Sequence, residues 1–145
     1  MVATSEVEYE ADGVVMIGHL AVPDDDVGEA RPAVLVAHEL PGLDDVHRER
    51  ADRLAERGYV AFALDAHGGG RFRLDDPRIR ERVAAISNDP DRARSIADSA
   101  LEVLRVHPRV DASRMAAIGY CFGGTLVIEL ARGGADLRAV VGFHP

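Results

Sequence analysis

The chain is constrained most by residues 115–124, where an apolar strand pattern runs into a cysteine flanked by glycines. The stretch reads Met-Ala-Ala-Ile-Gly-Tyr-Cys-Phe-Gly-Gly, and a helical pattern follows without a breaker until Gly133. Cys121 lies two positions from both Gly119 and Gly123, which gives G-x-C-x-G between a strand and a helix. So tight a turn predicts a strained backbone at the cysteine, at a cost of about 1–3 kcal/mol. Side chains at the two glycine positions would collide with the neighbouring helix and strand.

The turn around Cys121 predicts a nucleophile. In α/β-hydrolases the same strand, turn and helix, with the consensus G-x-S-x-G, lift the nucleophile above the edge of the sheet. Here Cys121 takes that place, and the backbone N–H of Phe122 begins the helix where an oxyanion develops. The alternative is that Cys121 is only a small buried hydrophobic residue, as most free cysteines are. The correctly spaced glycines and the flanking elements favour the nucleophile.

The rest of the chain alternates strand-like and helix-like patterns. Continuous apolar runs are typical of strands buried on both faces of a parallel sheet, and apolar stripes three and four residues apart are typical of helices. We expect one domain over residues 1–145: an α/β fold of the α/β-hydrolase type, with an open, mostly parallel sheet, helices on both faces and an N-terminal β-hairpin. The predicted elements are a hairpin (7–22), an acidic loop (23–32), strands (33–37, 60–64, 115–118 and 137–143), a turn (110–113), a helix capped by Asp44 that ends near Arg57, a short helix between Pro77 and Pro90, a long helix capped by Asp91, and the helix after Cys121.

Charge and cysteine content exclude several classes of partner. The formal net charge is −8 and no basic stripe is present, so nucleic acid and anionic membranes are not expected to bind. No run approaches the ~18 apolar residues of a membrane span, and the N-terminus lacks the features of a signal peptide. A single cysteine cannot form an intrachain disulfide, which predicts a reducing, cytoplasmic location. The sequence is compatible with a homo-oligomer.

Polar residues follow three of the predicted strands. In an open parallel sheet, ligands gather at the carboxyl ends of strands, so these residues could share one crevice with Cys121. A zinc-binding H-E-x-x-H motif would need a histidine where Gly42 stands, and the glycines at 68–70 match no nucleotide-binding motif. We therefore expect neither a metal ion nor a cofactor. The polar residues are His38, Glu39, Asp65, His67 and His144.

Glu39 and Leu40 are the candidates for roles beside the thiol. A carboxylate at Glu39 would either accept the proton of the thiol or oppose thiolate formation by like charge; alternatively it only pairs with a loop arginine. Leu40 would supply the second oxyanion N–H, since that donor comes from the loop after this strand. His67 and His144 could each be mistaken for a catalytic base and are as easily strand-end hydrogen-bonding residues. His47 is expected on the surface of its helix.

Three segments, taken together and in this order, resemble the dienelactone hydrolase family. They are residues 38–43, residues 53–61 and residues 119–124, and the similarity runs from about residue 5 to the end. The resemblance implies a hydrolase of lactones or activated esters that uses a Cys-His-Asp triad. By that resemblance Cys121 matches the nucleophile. Glu39 matches the glutamate that holds the resting thiol and activates it when substrate binds.

One departure from the family concerns the rest of the triad. The aspartate and histidine of the family lie on later strands, and no residue in this sequence matches them. We therefore expect the front part of a longer protein, which alone would be inactive and poorly soluble or associated with another chain. His144 is the nearest replacement base, but its position does not match. The alternative function is a truncated, non-catalytic hydrolase-like domain that binds a ligand or partner; the missing residues favour it and the intact turn opposes it.

Overall fold

The computed structural model describes residues 1–25 and 28–145, and in that part of the chain it shows one six-stranded sheet and four helices. Residues 26 and 27, within the predicted acidic loop, lie outside the described residues. The strands are β1 (Val2–Ala11), β2 (Val14–Pro23), β3 (Arg31–Ala37), β4 (Val60–Ala63), β5 (Val110–Tyr120) and β6 (Ala139–Phe143); the helices are α1 (Asp45–Glu56), α2 (Ile79–Ser87), α3 (Pro90–Arg105) and α4 (Phe122–Arg132).

The sheet has the strand order β1-β2-β4-β3-β5-β6. The hairpin strands β1 and β2 pair antiparallel, and β2 also lies antiparallel to β4, whereas the pairs β3–β4, β3–β5 and β5–β6 are parallel. The predicted open, mostly parallel sheet with an N-terminal hairpin is therefore confirmed. The hairpin begins at Val2 rather than Val7, because β1 pairs along its whole length with β2.

Helices cover both faces of the sheet, and side chains of β3 alternate between two hydrophobic clusters. Leu35 packs with the larger cluster, to which α3 and α4 contribute, whereas Val34 and Val36 pack with the smaller cluster under α1. The predicted apolar stripe of the long helix is buried in the larger cluster. None of the helices in the described part of the chain has the length and apolar character that crossing a membrane requires.

The long helix begins two residues earlier than predicted. Its N-cap is Asp89, not Asp91: the Asp89 carboxylate accepts a hydrogen bond from the backbone N–H of Arg92. Pro90 occupies the first helical position, where its fixed φ suits a helix and its missing N–H costs nothing.

The segment before the tight turn at residues 119–123, which we call the elbow, also differs from the prediction. Residues 110–113 were predicted as a turn, but they belong to β5: Val110 pairs with Arg31 before a shift of register, and regular pairing resumes at Met115. The chain bulges between these pairs instead of leaving the sheet. The last strand begins at Ala139 rather than at residue 137 and forms an edge of the sheet.

Candidate active site

Cys121 lies between β5 and α4 in a backbone conformation that side chains rarely adopt. Its φ is 54° and its ψ is −116°, so the strain predicted for this position is present. The side chain is exposed to solvent. Its backbone N–H donates to the carbonyl oxygen of Phe143 at 2.6 Å, which joins the turn to the end of β6.

The glycines on either side of Cys121 are required because backbone lies where their side chains would be. A Cβ atom at Gly119 would stand 2.1 Å from the carbonyl oxygen of Gly123. A Cβ atom at Gly123 would stand 2.3 Å from the carbonyl oxygen of Ala37, at the end of β3. The collisions predicted from the sequence are thus confirmed. These contacts also place the loop after β3 directly beside the start of α4.

The two predicted oxyanion donors lie on either side of this contact. Phe122 is the first residue of α4, where the helix dipole adds partial positive charge. Leu40 lies in the loop after β3. Neither backbone N–H has a hydrogen-bond acceptor within the residues that the structure describes. Within that part of the chain, both N–H groups therefore lack a protein partner.

His67 contacts both of these residues. Its Nε2 donates to the carbonyl oxygen of Leu40 at 2.8 Å, and its ring stacks on the ring of Phe122 with centroids 5.6 Å apart. Its Nδ1 accepts a hydrogen bond from Arg82 Nε at 3.2 Å. Burial, aided by the charge of Arg82, lowers the pKa of His67. The neutral ring therefore packs between Leu40 and Phe122, and neither of its nitrogens is free to accept a proton from a substrate.

Arg82 connects His67 to the N-terminal hairpin. Arg82 also donates to the carbonyl oxygen of Ala66 at 2.7 Å and pairs with Asp12 at 3.1 Å. Asp12, in the hairpin turn, receives two hydrogen bonds from Arg92, at 2.9 and 2.8 Å. The hydrogen bond from Arg92 is the largest influence that lowers the pKa of Asp12. A series of contacts from His67 through Arg82 and Asp12 to Arg92 therefore supports the loop that carries Leu40.

His38 and Asp65 do not face the expected shared crevice. His38 is fully buried; Nδ1 donates to the carbonyl oxygen of Glu39 at 2.7 Å, and Nε2 accepts from the N–H of Ala66 at 3.0 Å. Burial lowers the pKa of His38 and keeps the ring neutral. Asp65 is also fully buried, and its carboxylate is fully occupied by backbone N–H groups. These donors are Ile17, His67, Gly68 and Gly70.

Glu39 faces a histidine, and the structure shows no hydrogen bond between its carboxylate and the thiol of Cys121 within the described residues. The Glu39 side chain is 56% exposed, and Oε1 lies 3.9 Å from His47 Nε2. The alternative pairing with a loop arginine is likewise not observed among the ion pairs of the described chain.

The prediction that His47 lies on the helix surface is wrong. Only 2% of the residue is exposed, because α1 turns this side toward β5, where the rings of His47 and Tyr120 meet edge to face at 5.4 Å. The cap residue Asp44 accepts from both the backbone N–H and Nδ1 of His47. The spacing of three residues from the cap was the one sequence signal for this contact.

His144 directly follows the residue whose carbonyl binds the Cys121 N–H, and it is exposed with φ at 52°. It therefore lies at the same edge of the sheet as the elbow. Among the described residues, no three or more His, Cys, Asp or Glu side chains are grouped in a way that could hold a metal ion.

Comparison with known proteins gives consistent matches. Residues 16–145 match the sequence model of the dienelactone hydrolase family. The solved structure of m3DLH is 44% identical, with a TM-score of 0.92, over 99% of this chain and 59% of that one. A dienelactone hydrolase-like promiscuous phosphotriesterase from metagenomic libraries is 38% identical, with a TM-score of 0.90, over 99% of this chain and 59% of that one. The carboxymethylenebutenolidase of Pseudomonas putida is 28% identical over 75% of this chain and 48% of its own length.

The chain spans about half the length of the curated relatives it matches. The share is 56% for Protein usf of Aquifex pyrophilus, which is 30% identical over 90% of this chain. The matched region begins within the hairpin and includes the elbow.

Proposed function

The chain belongs to the dienelactone hydrolase family, and we propose that it carries the nucleophile of an enzyme that hydrolyses lactones or activated carboxylic esters. One observation carries this proposal: the thiol of Cys121 is exposed on a strained turn at the start of a helix. Such strain persists only where the surrounding structure enforces it, and it clusters at active sites.

The proposed reaction is acyl transfer through a thioester. The Cys121 thiolate attacks the substrate carbonyl carbon and forms a C–S bond, and the carbonyl oxygen becomes an oxyanion. The C–O bond of the ester then breaks, and its oxygen leaves with the proton that the thiol has lost. Water attacks the thioester, releases the acid and returns a proton to the sulfur.

Backbone N–H groups of Phe122 and Leu40 would bind the oxyanion. Support comes from the absence of any acceptor for either group in the described chain and from the helix dipole behind Phe122. His67 would hold these two residues in place, since it contacts both of them. Both of its own nitrogens are already hydrogen-bonded. Removing one such donor typically costs about 100- to 1,000-fold in kcat.

Glu39 is the carboxylate we assign to control of the thiol. Turned toward Cys121, its carboxylate would hold the resting thiol in the protonated form, because an ionised carboxylate opposes a thiolate by like charge. When substrate binds, Glu39 would take the proton of the thiol and turn away. Two observations support such a movement. The Glu39 side chain is exposed, and Glu39 follows β3, the strand that pairs with β5.

The substrate class follows from the family and from the names of the relatives. A carboxymethylenebutenolidase is among them, which favours a cyclic enol-lactone; a promiscuous phosphotriesterase adds a phosphotriester as a second substrate to assay. We expect the full-length protein to hydrolyse enol-lactones or p-nitrophenyl esters, and Cys121→Ala to abolish that activity. Cys121→Ser should keep little, because an alkoxide forms less readily than a thiolate.

The rival function is a non-catalytic domain that binds a ligand or partner. It predicts no turnover of any lactone, ester or phosphotriester by the full-length protein, and no difference between wild type and Cys121→Ala in that assay. Turnover that persists in Cys121→Ala would instead exclude the cysteine as nucleophile.

A further inference from the structure

His38 is a buried imidazole whose single proton is assigned by its two contacts. The backbone N–H of Ala66 lies 3.0 Å from Nε2, and because that N–H can only donate, Nε2 accepts and carries no hydrogen. Burial lowers the pKa of His38, so the ring is neutral and its one N–H is on Nδ1. That N–H donates to the carbonyl oxygen of Glu39 at 2.7 Å. The ring therefore has one tautomer and one donor, which it uses on the loop after β3.

The carbonyl that His38 binds belongs to the same peptide group as the N–H of Leu40. This peptide is trans, and in a planar trans peptide the C=O and the N–H point in opposite directions. Fixing the carbonyl oxygen of Glu39 therefore fixes the direction of the Leu40 N–H. A peptide turned over would present the Glu39 carbonyl oxygen in place of that N–H, and a carbonyl oxygen repels an oxyanion.

The turn of the loop holds this carbonyl only in part. The Glu39 carbonyl oxygen also accepts from the N–H of Gly42 at 3.1 Å, which closes a four-residue turn. Pro41 is the third residue of that turn, where proline is disfavoured in the commonest turn type because it restricts the residue before it. The turn therefore depends on a second contact, and the hydrogen bond from His38 supplies it.

Leu40 lies beside the first residue of α4. The ring of His67 contacts both: it donates to the Leu40 carbonyl oxygen at 2.8 Å and stacks on Phe122 with centroids 5.6 Å apart. The backbone before Leu40 touches the same helix, because a Cβ atom at Gly123 would stand 2.6 Å from the carbonyl oxygen of His38. The N–H groups of Leu40 and Phe122 thus belong to neighbouring segments, and the direction of the Leu40 N–H decides whether both can bind one oxygen.

We propose that His38 is a positioning residue, which aims the backbone N–H of Leu40 at the oxyanion through the carbonyl oxygen of Glu39. This inference rests on the proposed function in one respect, that Leu40 supplies an oxyanion donor. His67 holds the next carbonyl along the chain, so a histidine fixes each of the two peptide groups that flank Leu40. Because His38 is fully buried, it acts on the substrate only through this peptide.

The test separates the two ring nitrogens with a matched pair of variants. The amide nitrogen of His38→Asn takes the place of Nδ1 and can still donate to Glu39. The amide oxygen of His38→Gln takes the place of Nε2, so this variant keeps the acceptor for Ala66 and loses the donor to Glu39. The readout is the rate constant of acylation, taken from the burst of p-nitrophenolate when the full-length protein is mixed with p-nitrophenyl acetate.

The two variants should differ in acylation and agree in the reactivity of the thiol. His38→Gln should slow acylation about 10- to 100-fold without a change in the half-saturating ester concentration, because the oxyanion develops only in the transition state. His38→Asn should acylate at close to the wild-type rate, although the unpaired Ala66 N–H lowers its thermal stability. Alkylation of Cys121 by iodoacetamide forms no oxyanion, so wild type and both variants should be alkylated at the same rate.

Acylation that is no slower in His38→Gln than in His38→Asn would overturn the inference, and so would an equal slowing of alkylation in His38→Gln. A wild type without any burst would refute the proposed function and the inference with it, whereas a wild-type burst with equal variants refutes the inference alone. If either variant does not melt cooperatively, nitrogen NMR of the histidine-labelled wild type decides. We expect the His38 proton on Nδ1, and a proton on Nε2 would overturn the inference.

Discussion

The elbow around Cys121 and the loop after β3 lie side by side, yet they are held in different ways. At the elbow, backbone contacts backbone: Gly119 and Gly123 leave no room for any side chain. The loop that carries Glu39 and Leu40 is instead held by hydrogen bonds from buried histidines, which remote arginines and aspartates support. The elbow should therefore respond to added volume, whereas the loop should respond to lost hydrogen bonds and to pH.

The largest effect on stability is expected from adding a side chain where the backbones of β3 and α4 touch at the elbow. Gly123→Ala places a methyl group 2.3 Å from the Ala37 carbonyl oxygen, so β3 and α4 must separate. We expect a loss of about 3 kcal/mol or more in the free energy of unfolding, measured by urea denaturation. Gly124→Ala is the matched control one residue along α4, where the nearest atoms would lie 3.3 Å away. Equal stabilities of the two variants would contradict the account of the elbow.

Acid should lower the free energy of unfolding through the two buried histidines that hold the loop after β3. The folded protein keeps His38 and His67 neutral, with each pKa below its ordinary value of 6.5, whereas the unfolded chain takes up protons below that pH. Stability is therefore full above pH 6.5 and falls as the pH drops, by up to about 1.4 kcal/mol per pH unit for each histidine. Urea denaturation of wild type and His67→Gln between pH 7 and pH 5 measures this slope.

The His67→Gln variant should lose one of the two proton uptakes and so show a shallower dependence on pH. Gly124→Ala changes no titratable group and should keep the wild-type slope. An unaltered slope in His67→Gln would mean that its ring is not held neutral in the folded protein.

Backbone strain at the elbow should be released by glycine. Cys121→Gly removes the side chain that disfavours a φ of 54°, so it should be more stable than Cys121→Ala by about 1 kcal/mol. Because both variants lack the thiol, the difference between their stabilities reports the backbone strain. Equal thermal midpoints would show that the turn stores no strain.

The smallest effect is expected where the loop support ends, at the hairpin. Asp12→Asn weakens the contacts with Arg82 and Arg92 and should cost about 0.5 kcal/mol at pH 7. Because hydrogen bonding from Arg92 lowers the pKa of Asp12, this stabilisation is present above the ordinary value of 3.8 and is lost as the pH falls below it. The variant and wild type should converge in acid. Asp91→Asn, on a side chain 95% exposed, is the control and should change little at either pH.

The sequence predicts the elbow well and its surroundings poorly, for a physical reason. The conditions for the turn are local: two glycines at fixed offsets, a strand before and a helix after. The partners of His67 are 27 residues away at Leu40 and 15 residues away at Arg82, and no spacing rule connects them. The burial of His47 depends on which side of α1 meets Tyr120, which the polar pattern of that helix does not reveal.

The most direct test of the account is to trap the acyl-enzyme. The full-length protein is mixed with p-nitrophenyl acetate and quenched in acid, and the acetylated peptide is identified by mass spectrometry. We predict a stoichiometric burst of p-nitrophenolate and one acetyl group on the peptide that contains Cys121, with neither in Cys121→Ala. A burst in Cys121→Ala, or an acetyl group on another residue during turnover, would contradict the assignment of Cys121 as the nucleophile.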